Sequence, residues 1–249
     1  MTTIATDPTV DPEEVRKFAT LAIEWWNPRG KFAPLHKFNP VRLKFVRDEA
    51  ARHFGRDLKA LKPFDGLSLL DIGCGGGLLS EPMARIGFTV TGADASDENV
   101  QIARAHAQQS GVKVNYRFTT AEALSAARES FDVVLNTEVI EHVADPTLYL
   151  KSCAELVKPG GLMFVGTLNK TMKSLMLGKV AAEYVLGWLP AGSHDWSRFI
   201  PPKKLTRMLK DVGLKVTAVR GMSFSVLTWS WQLTADTDIN YLVVAEKAR

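Results

Sequence analysis

Residues 69–77, Leu69-Leu70-Asp71-Ile72-Gly73-Cys74-Gly75-Gly76-Gly77, constrain this chain more than any other stretch. An apolar run of strand type ends beside an acidic residue and opens into a dense glycine turn, after which helical spacing resumes at Leu78. Glycines in such a turn let the backbone approach a ligand closely and bend sharply into the next helix. Three readings remain at this point: an ordinary glycine-rich turn, a dinucleotide site, or a site for another adenosyl ligand. A Walker phosphate loop is excluded, because no Gly-Lys-Ser/Thr follows.

Two features weigh against a dinucleotide. The sixth position of a G-x-G-x-x-G frame is Leu78, and Asp71 would repel an approaching pyrophosphate. The same carboxylate would attract the cationic end of S-adenosylmethionine. Asp94 closes the next strand pattern, Val90-Thr91-Gly92-Ala93-Asp94, about 20 residues on, where a carboxylate can accept from both ribose hydroxyls. Glu122 follows the third strand pattern, either reaching the adenine amino group or sitting as a solvated helix cap.

Around this motif, short apolar runs alternate with helical periodicity, the grammar of a mainly parallel α/β sheet. Strands are predicted at Ser68–Ile72, Thr89–Ala93, Asn115–Thr119, Phe131–Asn136, Leu162–Thr167, Lys215–Val219 and Asn240–Ala245. Helices between them include Leu78–Ile86, Asp97–Ser110, Pro146–Leu156 and Lys203–Val212. The expectation is one Rossmann-like domain over residues 1–249. Residues 1–60 form a helical cover and residues 61–249 a seven-stranded core, with an irregular insert at about 168–200 after the fifth strand. In the cover, residues 1–10 read as a loose end. Asp11 caps a first helix, Pro12 fits its first position and Glu14 completes the capping pattern, with the apolar spacing running to Trp26. A loop with Pro34 and Pro40 then leads to a second helix from about Val41 to Phe54.

Composition narrows the class further. Hydrophobic residues are 46% and charged residues 23% of the chain, enough for a full core. The net charge of +4 is too diffuse to mark nucleic acid as a partner. Cys74 and Cys153 cannot build a disulfide framework, which fits a reducing compartment. The acidic first residues lack the charge and apolar pattern of a signal peptide, and no apolar run reaches membrane-spanning length. A cytoplasmic protein, peripheral at most, is the expectation.

Asp71 to Gly77, Asp94, Phe131-Asp132-Val133-Val134 and Leu156-Val157-Lys158-Pro159-Gly160-Gly161 together resemble the successive motifs of class I methyltransferases dependent on S-adenosylmethionine. The resemblance implies strand order 3-2-1-4-5-7-6 with the last strand antiparallel. The fourth strand leads into Asn136-Thr137-Glu138-Val139-Ile140-Glu141-His142, at the sheet edge where ligands bind. From spacing alone, Glu138, Glu141 and His142 fit a divalent metal, a hydroxylated substrate, a general base, or a purely structural cap over the cofactor.

The segment from Trp25-Trp26-Asn27-Pro28-Arg29-Gly30 through Leu35-His36-Lys37-Phe38-Asn39-Pro40-Val41-Arg42-Leu43 closely resembles the N-terminal signature of the O-methyltransferases of ubiquinone synthesis. Thr167-Leu168-Asn169, Ala182-Glu183-Tyr184 and Asn240-Tyr241 fit the same family. That resemblance implies cofactor binding by Arg42, Gly73, Asp94 and Thr137, alongside Asp71, Gly75 and Glu122 from the residue reading. Arg42 suits the role, because a guanidinium can pair with the methionine carboxylate. It also implies a magnesium-type metal on Glu138, Glu141 and His142, with His142 as the base if no metal binds. The substrates implied are polyprenylated catechols or quinols, in two O-methylation steps. Such substrates imply an anionic membrane surface and other pathway enzymes as partners. Thr171 to Phe199 mixes apolar residues with Lys173 and Lys179 in a pattern suited either to a lid or to a membrane interface. The rival functions are a different phenol or carbon methyltransferase on the same fold and a non-catalytic cofactor-binding scaffold.

Overall fold

Strand β1 (Ser68–Ile72) forms because Leu69 and Leu70 find apolar cover on opposite faces of one sheet, both with no residual exposure. The computed structural model describes residues 5–172, 174, 196–225 and 230–249. Among these, β1 lies between β2 (Thr89–Asp94) and β4 (Phe131–Thr137), parallel to both. β3 (Asn115–Phe118) extends the parallel set beyond β2, and β5 (Val157–Leu168) extends it beyond β4. β6 (Leu214–Ser225), β7 (Ser230–Thr234) and β8 (Asn240–Lys247) complete the order 3-2-1-4-5-8-6-7, with β8 antiparallel to both β5 and β6.

Helices cover both faces, which is why the central strands read as continuous apolar runs. On one face, Leu69, Val133, Phe164 and Val244 pack with Phe45 and Val46 of α2 (Ala33–Phe54) and Met83 of α3 (Ser80–Arg85). On the other, Leu70, Val134, Val165 and Val243 meet Leu124 of α5 (Ala121–Ala126), Leu150 of α6 (Pro146–Glu155) and Leu205 of α7 (Pro202–Asp211). α4 (Asp97–Ser110) starts where the Ser96 hydroxyl accepts from the Asn99 amide at 3.2 Å and stops at Gly111, in the left-handed region at φ 66°. No helix of the described residues is long and apolar enough to cross a membrane.

The predicted parallel core stands, and α4 has the expected bounds, but four expectations need correction. Eight strands are present among the described residues instead of seven. The eighth, β7, pairs antiparallel with the end of β6, which itself runs well past the expected Val219. An edge strand of five residues, with exposed and half-buried side chains and none fully buried, gives no apolar run to read. α2 begins at Ala33, well before Val41: Pro34 sits in its first turn and Pro40 lies inside it. Proline in a helix interior loses one hydrogen bond. Here burial of Asn39, Arg42 and Phe45 on either side of that gap holds the helix against the sheet. α1 (Pro12–Ala19) ends early, and a 3-10 turn (Ala22–Glu24) separates it from Trp25 and Trp26. Finally, residues 5–10 are not loose: Ala5 N–H donates to Ala95 O at 3.2 Å, and Ala144 N–H donates to Thr9 O at 2.9 Å. Most of the expected insert, including Lys173, Lys179 and the Ala182-Glu183-Tyr184 motif, lies outside the described residues.

Candidate active site

The glycine turn lies at the carboxyl end of β1, beneath a cover built by the N-terminal segment. Gly73, Gly75 and Gly77 adopt φ of 69°, 52° and 90°, conformations that cost other residues about 1 kcal/mol or more. Space demands glycine as well. A Cβ on Gly75 would fall 2.4 Å from Trp25 Cζ2, and one on Gly76 2.4 Å from Trp25 Cβ. Trp25 is fixed over the turn by its indole N–H, which donates to Asn99 Oδ1 at 2.9 Å, and by stacking on Phe32 at 3.8 Å. The Trp26 indole N–H donates to Gly76 O at 2.8 Å. The tryptophans of the N-terminal signature thus dock on the turn.

Two carboxylates lie beside these glycines. Asp94, at the end of β2, accepts from Gly75 N–H at 2.9 Å, Ser96 N–H at 2.9 Å and the Asn99 side-chain amide at 3.1 Å. Burial raises its pKa, opposed by the Ser96 and Gly75 amides. A carboxylate has about four acceptor positions, so capacity remains for a ligand hydroxyl. Asp71 accepts from Ser80 Oγ at 2.6 Å, and burial pushes its pKa up to about 7, with Asp94 adding repulsion. A cationic ligand would relieve that cost.

Both open into a cavity of about 1170 Å³ at the carboxyl edge of the sheet. The structure brings Arg42, Asp71, Gly73, Gly75, Asp94, Glu122, Thr137, Glu138 and His142 to its wall. Glu122 sits half-buried in the first turn of α5 and accepts from Thr9 Oγ1 at 2.6 Å. Thr137 ends β4 opposite Gly166. Arg42 is 3% exposed and crosses the cavity to the Glu138 carboxylate; its Nη1 also reaches Asn39 Oδ1 at 3.3 Å, and its guanidinium lies 4.5 Å from the Phe38 ring centre. Its Nε is buried without a hydrogen-bond partner. Burial draws the Arg42 pKa down, while Glu138 and Glu141 oppose that shift. Glu138 has φ 57°, an uncommon left-handed conformation for a residue with a side chain.

Glu141 does not join that wall. The turn after Glu138, closed by His142 N–H donating to Val139 O at 2.8 Å, sends Glu141 inward, where its Oε2 accepts from Thr167 Oγ1 at 3.0 Å. Its Oε1 is buried and unpartnered, and burial followed by Glu138 repulsion raises its pKa. His142 instead meets Glu14 of α1: Nδ1 to Oε2 is 2.7 Å, and Phe18 packs edge-on against the imidazole at 5.0 Å. Glu138, Glu141 and His142 are therefore held by three different partners. Among the described residues no three His, Cys, Asp or Glu converge as a metal site. In this arrangement the three do not fit the divalent ion the resemblance implies.

Sequence reasoning missed Glu14, Thr9, Trp25 and Asn99 as parts of the site. Glu14 was legible only as the end of a capping pattern; its amide is indeed capped by Asp11, but its side chain turns to His142. Its helical spacing to Phe18, on the same face, was the signal available.

A parallel-centred sheet with a glycine turn after β1, an acid at the end of β2 and a large cavity at the carboxyl edge is the arrangement of class I methyltransferases dependent on S-adenosylmethionine. A methyltransferase domain family matches residues 43–219. The chain is 55% identical over 240 residues to a ubiquinone biosynthesis O-methyltransferase of Parvibaculum lavamentivorans, covering 96% of this chain and 95% of that protein. It is 56% identical over 239 residues to the protein of the same name in a Chelativorans species, covering 96% and 94%. The chain belongs to the ubiquinone biosynthesis O-methyltransferase family, and it methylates oxygen of a quinol-type substrate in ubiquinone biosynthesis with S-adenosylmethionine as donor. Among solved structures, magnesium protoporphyrin IX methyltransferase of Synechocystis PCC 6803 superimposes with a TM-score of 0.62 at 18% identity, covering 95% and 94% of the two chains. A [4+2]-cyclase superimposes at 0.64, also with 18% identity, covering 100% and 99%. The fold alone therefore does not define the reaction.

Proposed function

We propose that the chain methylates the free hydroxyl of 2-polyprenyl-6-hydroxyphenol and of 3-demethylubiquinol, with His142 as the general base. The observation that carries this reading is the arrangement of the cavity wall, with acids along the glycine turn and an imidazole on the loop opposite. Asp71 faces the cationic end of the cofactor, Asp94 the ribose, Glu122 the adenine and Arg42 the methionine carboxylate. Gly73 and Gly75 allow close approach, and Thr137 closes that side.

S-adenosylmethionine, when bound, supplies a methyl already activated on a sulfonium, which is displaced as the phenol oxygen forms its new O–C bond. The chain then has two tasks, to align the phenol and to remove its proton. His142 takes that proton on Nε2, and the imidazolium later releases it to water. Phe38, Met222, Phe224 and Trp231 give the cavity an apolar flank suited to a prenyl chain. A prenyl substrate resides in a bilayer, and the lysine-bearing segment around Lys170, Lys173 and Lys179 supports peripheral contact with anionic lipid.

Methyl transfer from labelled S-adenosylmethionine to short-chain versions of both phenols tests this reading. O-methylated product from each is expected. Product from only unprenylated phenols, or methylation at carbon, would contradict it.

A further inference from the structure

Thr9 stands 113 residues before Glu122 in sequence, yet its hydroxyl donates to Glu122 Oε1 at 2.6 Å. We propose that Thr9 is the positioning residue for Glu122, fixing its carboxylate to accept from the 6-amino group of the cofactor's adenine. The inference rests on the reading of Glu122 as the residue that meets adenine.

Residues 5–10 form a strap across the carboxyl edge of the sheet. Ala5 N–H donates to Ala95 O at 3.2 Å, next to Asp94 at the end of β2. Asp7 accepts from the hydroxyl of Thr120, the residue that caps α5 after β3. Thr9 O accepts from Ala144 N–H at 2.9 Å, in the loop after β4. One short segment therefore ties together the loops that follow β2, β3 and β4.

Thr9 is the strap residue that acts on the ligand cavity. It is 2% exposed, and both Thr9 and Glu122 line the cavity wall. A threonine hydroxyl has one proton to give, and here it goes to Glu122. The carboxylate keeps acceptor positions for a ligand N–H, now in a set direction. A free glutamate side chain samples many rotamers, and ordering it is a cost that binding would otherwise meet. The backbone at Glu122 is fixed as well, because Thr120 Oγ1 accepts from Ala123 N–H at 3.2 Å to start α5. With backbone and carboxylate both held, the site selects a donor at position 6 of the purine. Closure of the strap alone is served by its backbone bonds to Ala95 and Ala144, whereas the Thr9 hydroxyl is spent on a carboxylate of the cavity wall.

The test uses the full chain with the variants Thr9→Val, Thr9→Ser and Glu122→Ala. Calorimetry gives the Kd for S-adenosylhomocysteine and for its purine analogue, in which hydrogen replaces the 6-amino group. The ratio of the two constants reports recognition of that amino group. The original chain is expected to prefer the adenine ligand about tenfold or more. Thr9→Val is expected to weaken the adenine ligand about fivefold or more and to leave the purine analogue within about twofold. The KM for S-adenosylmethionine should rise to match while kcat stays within about twofold, because the adenine contact is the same before and during methyl transfer. Thr9→Ser is expected to restore the ratio. If Thr9→Val does not fold, Thr9→Ala is read by the same ratio. Equal weakening of both ligands, the mark of a strap merely detached, would overturn the proposal, as would an unchanged ratio. If Glu122→Ala removes the preference while Thr9→Val keeps it, only the positioning role fails. A preference that survives Glu122→Ala, or that the original chain lacks, would remove the adenine reading of Glu122 and this proposal with it.

Discussion

Arg42 of α2 holds its guanidinium against the carboxylate of Glu138, 96 residues further along and just past the end of β4, at the wall of the ligand cavity. The pair fastens the N-terminal cover to the core and keeps a buried cation neutralised while no ligand carboxylate is present. Removing one partner of such a pair costs more than the pair contributes, because the other charge stays behind in a low dielectric. Glu138→Gln should therefore lower the stability of the ligand-free chain by roughly 2 kcal/mol. Saturating S-adenosylmethionine should restore most of it by giving Arg42 a new carboxylate. Thermal unfolding with and without cofactor checks this. Arg42→Met should raise the cofactor Kd about 10-fold or more.

Asp71 makes cofactor binding depend on pH. Its folded-state pKa is raised to about 7 from an unfolded value of 3.8, so ionising it costs the ligand-free fold stability as pH rises from 4 through 7. A bound cation favours the ionised form, so affinity for S-adenosylmethionine should fall as pH drops below 7, with proton release on binding. Asp71→Asn should raise the Tm of the ligand-free chain at pH 8 by about 3 °C or more, and it should flatten the affinity profile. Calorimetry in buffers of different ionisation enthalpy measures the proton count.

Gly75 is committed twice, by a φ of 52° and by Trp25 packed where a Cβ would stand. Gly75→Ala should abolish measurable cofactor binding, and pairing it with Trp25→Ala should recover part of it. Recovery measures how much of the loss is a clash with Trp25 and how much is backbone.

The parallel core was legible because its signal is local. β1 and α4 have the expected bounds because strand burial on two faces and the Ser96 and Gly111 caps are written in contiguous residues. The glycine turn and the two acids beside it were legible for the same reason, since Asp71, Gly73, Gly75 and Asp94 sit at or just past strand ends. What was hidden depends on contacts between distant segments. Nothing near Glu14 in sequence announces His142, and nothing near Pro40 shows that burial of Arg42 and Phe45 carries a helix past a proline. Glu141 and His142 are adjacent, yet the turn after Glu138 sends one into the core and the other to the cavity. No spacing rule decides that.

Lys173 and Lys179 carry the membrane reading. Reversing both to glutamate should reduce flotation with vesicles containing anionic lipid and leave methylation of a detergent-solubilised short-chain phenol unchanged. Equal flotation of the variant would detach this segment from membrane contact.

The most direct test of His142 as base is single-turnover methyl transfer, with both ligands saturating, in the original chain and in His142→Gln. We expect the rate to fall about 100-fold or more while both dissociation constants stay within a few-fold, because only proton removal is lost. A variant rate within threefold of the original would contradict the assignment of His142 as the base.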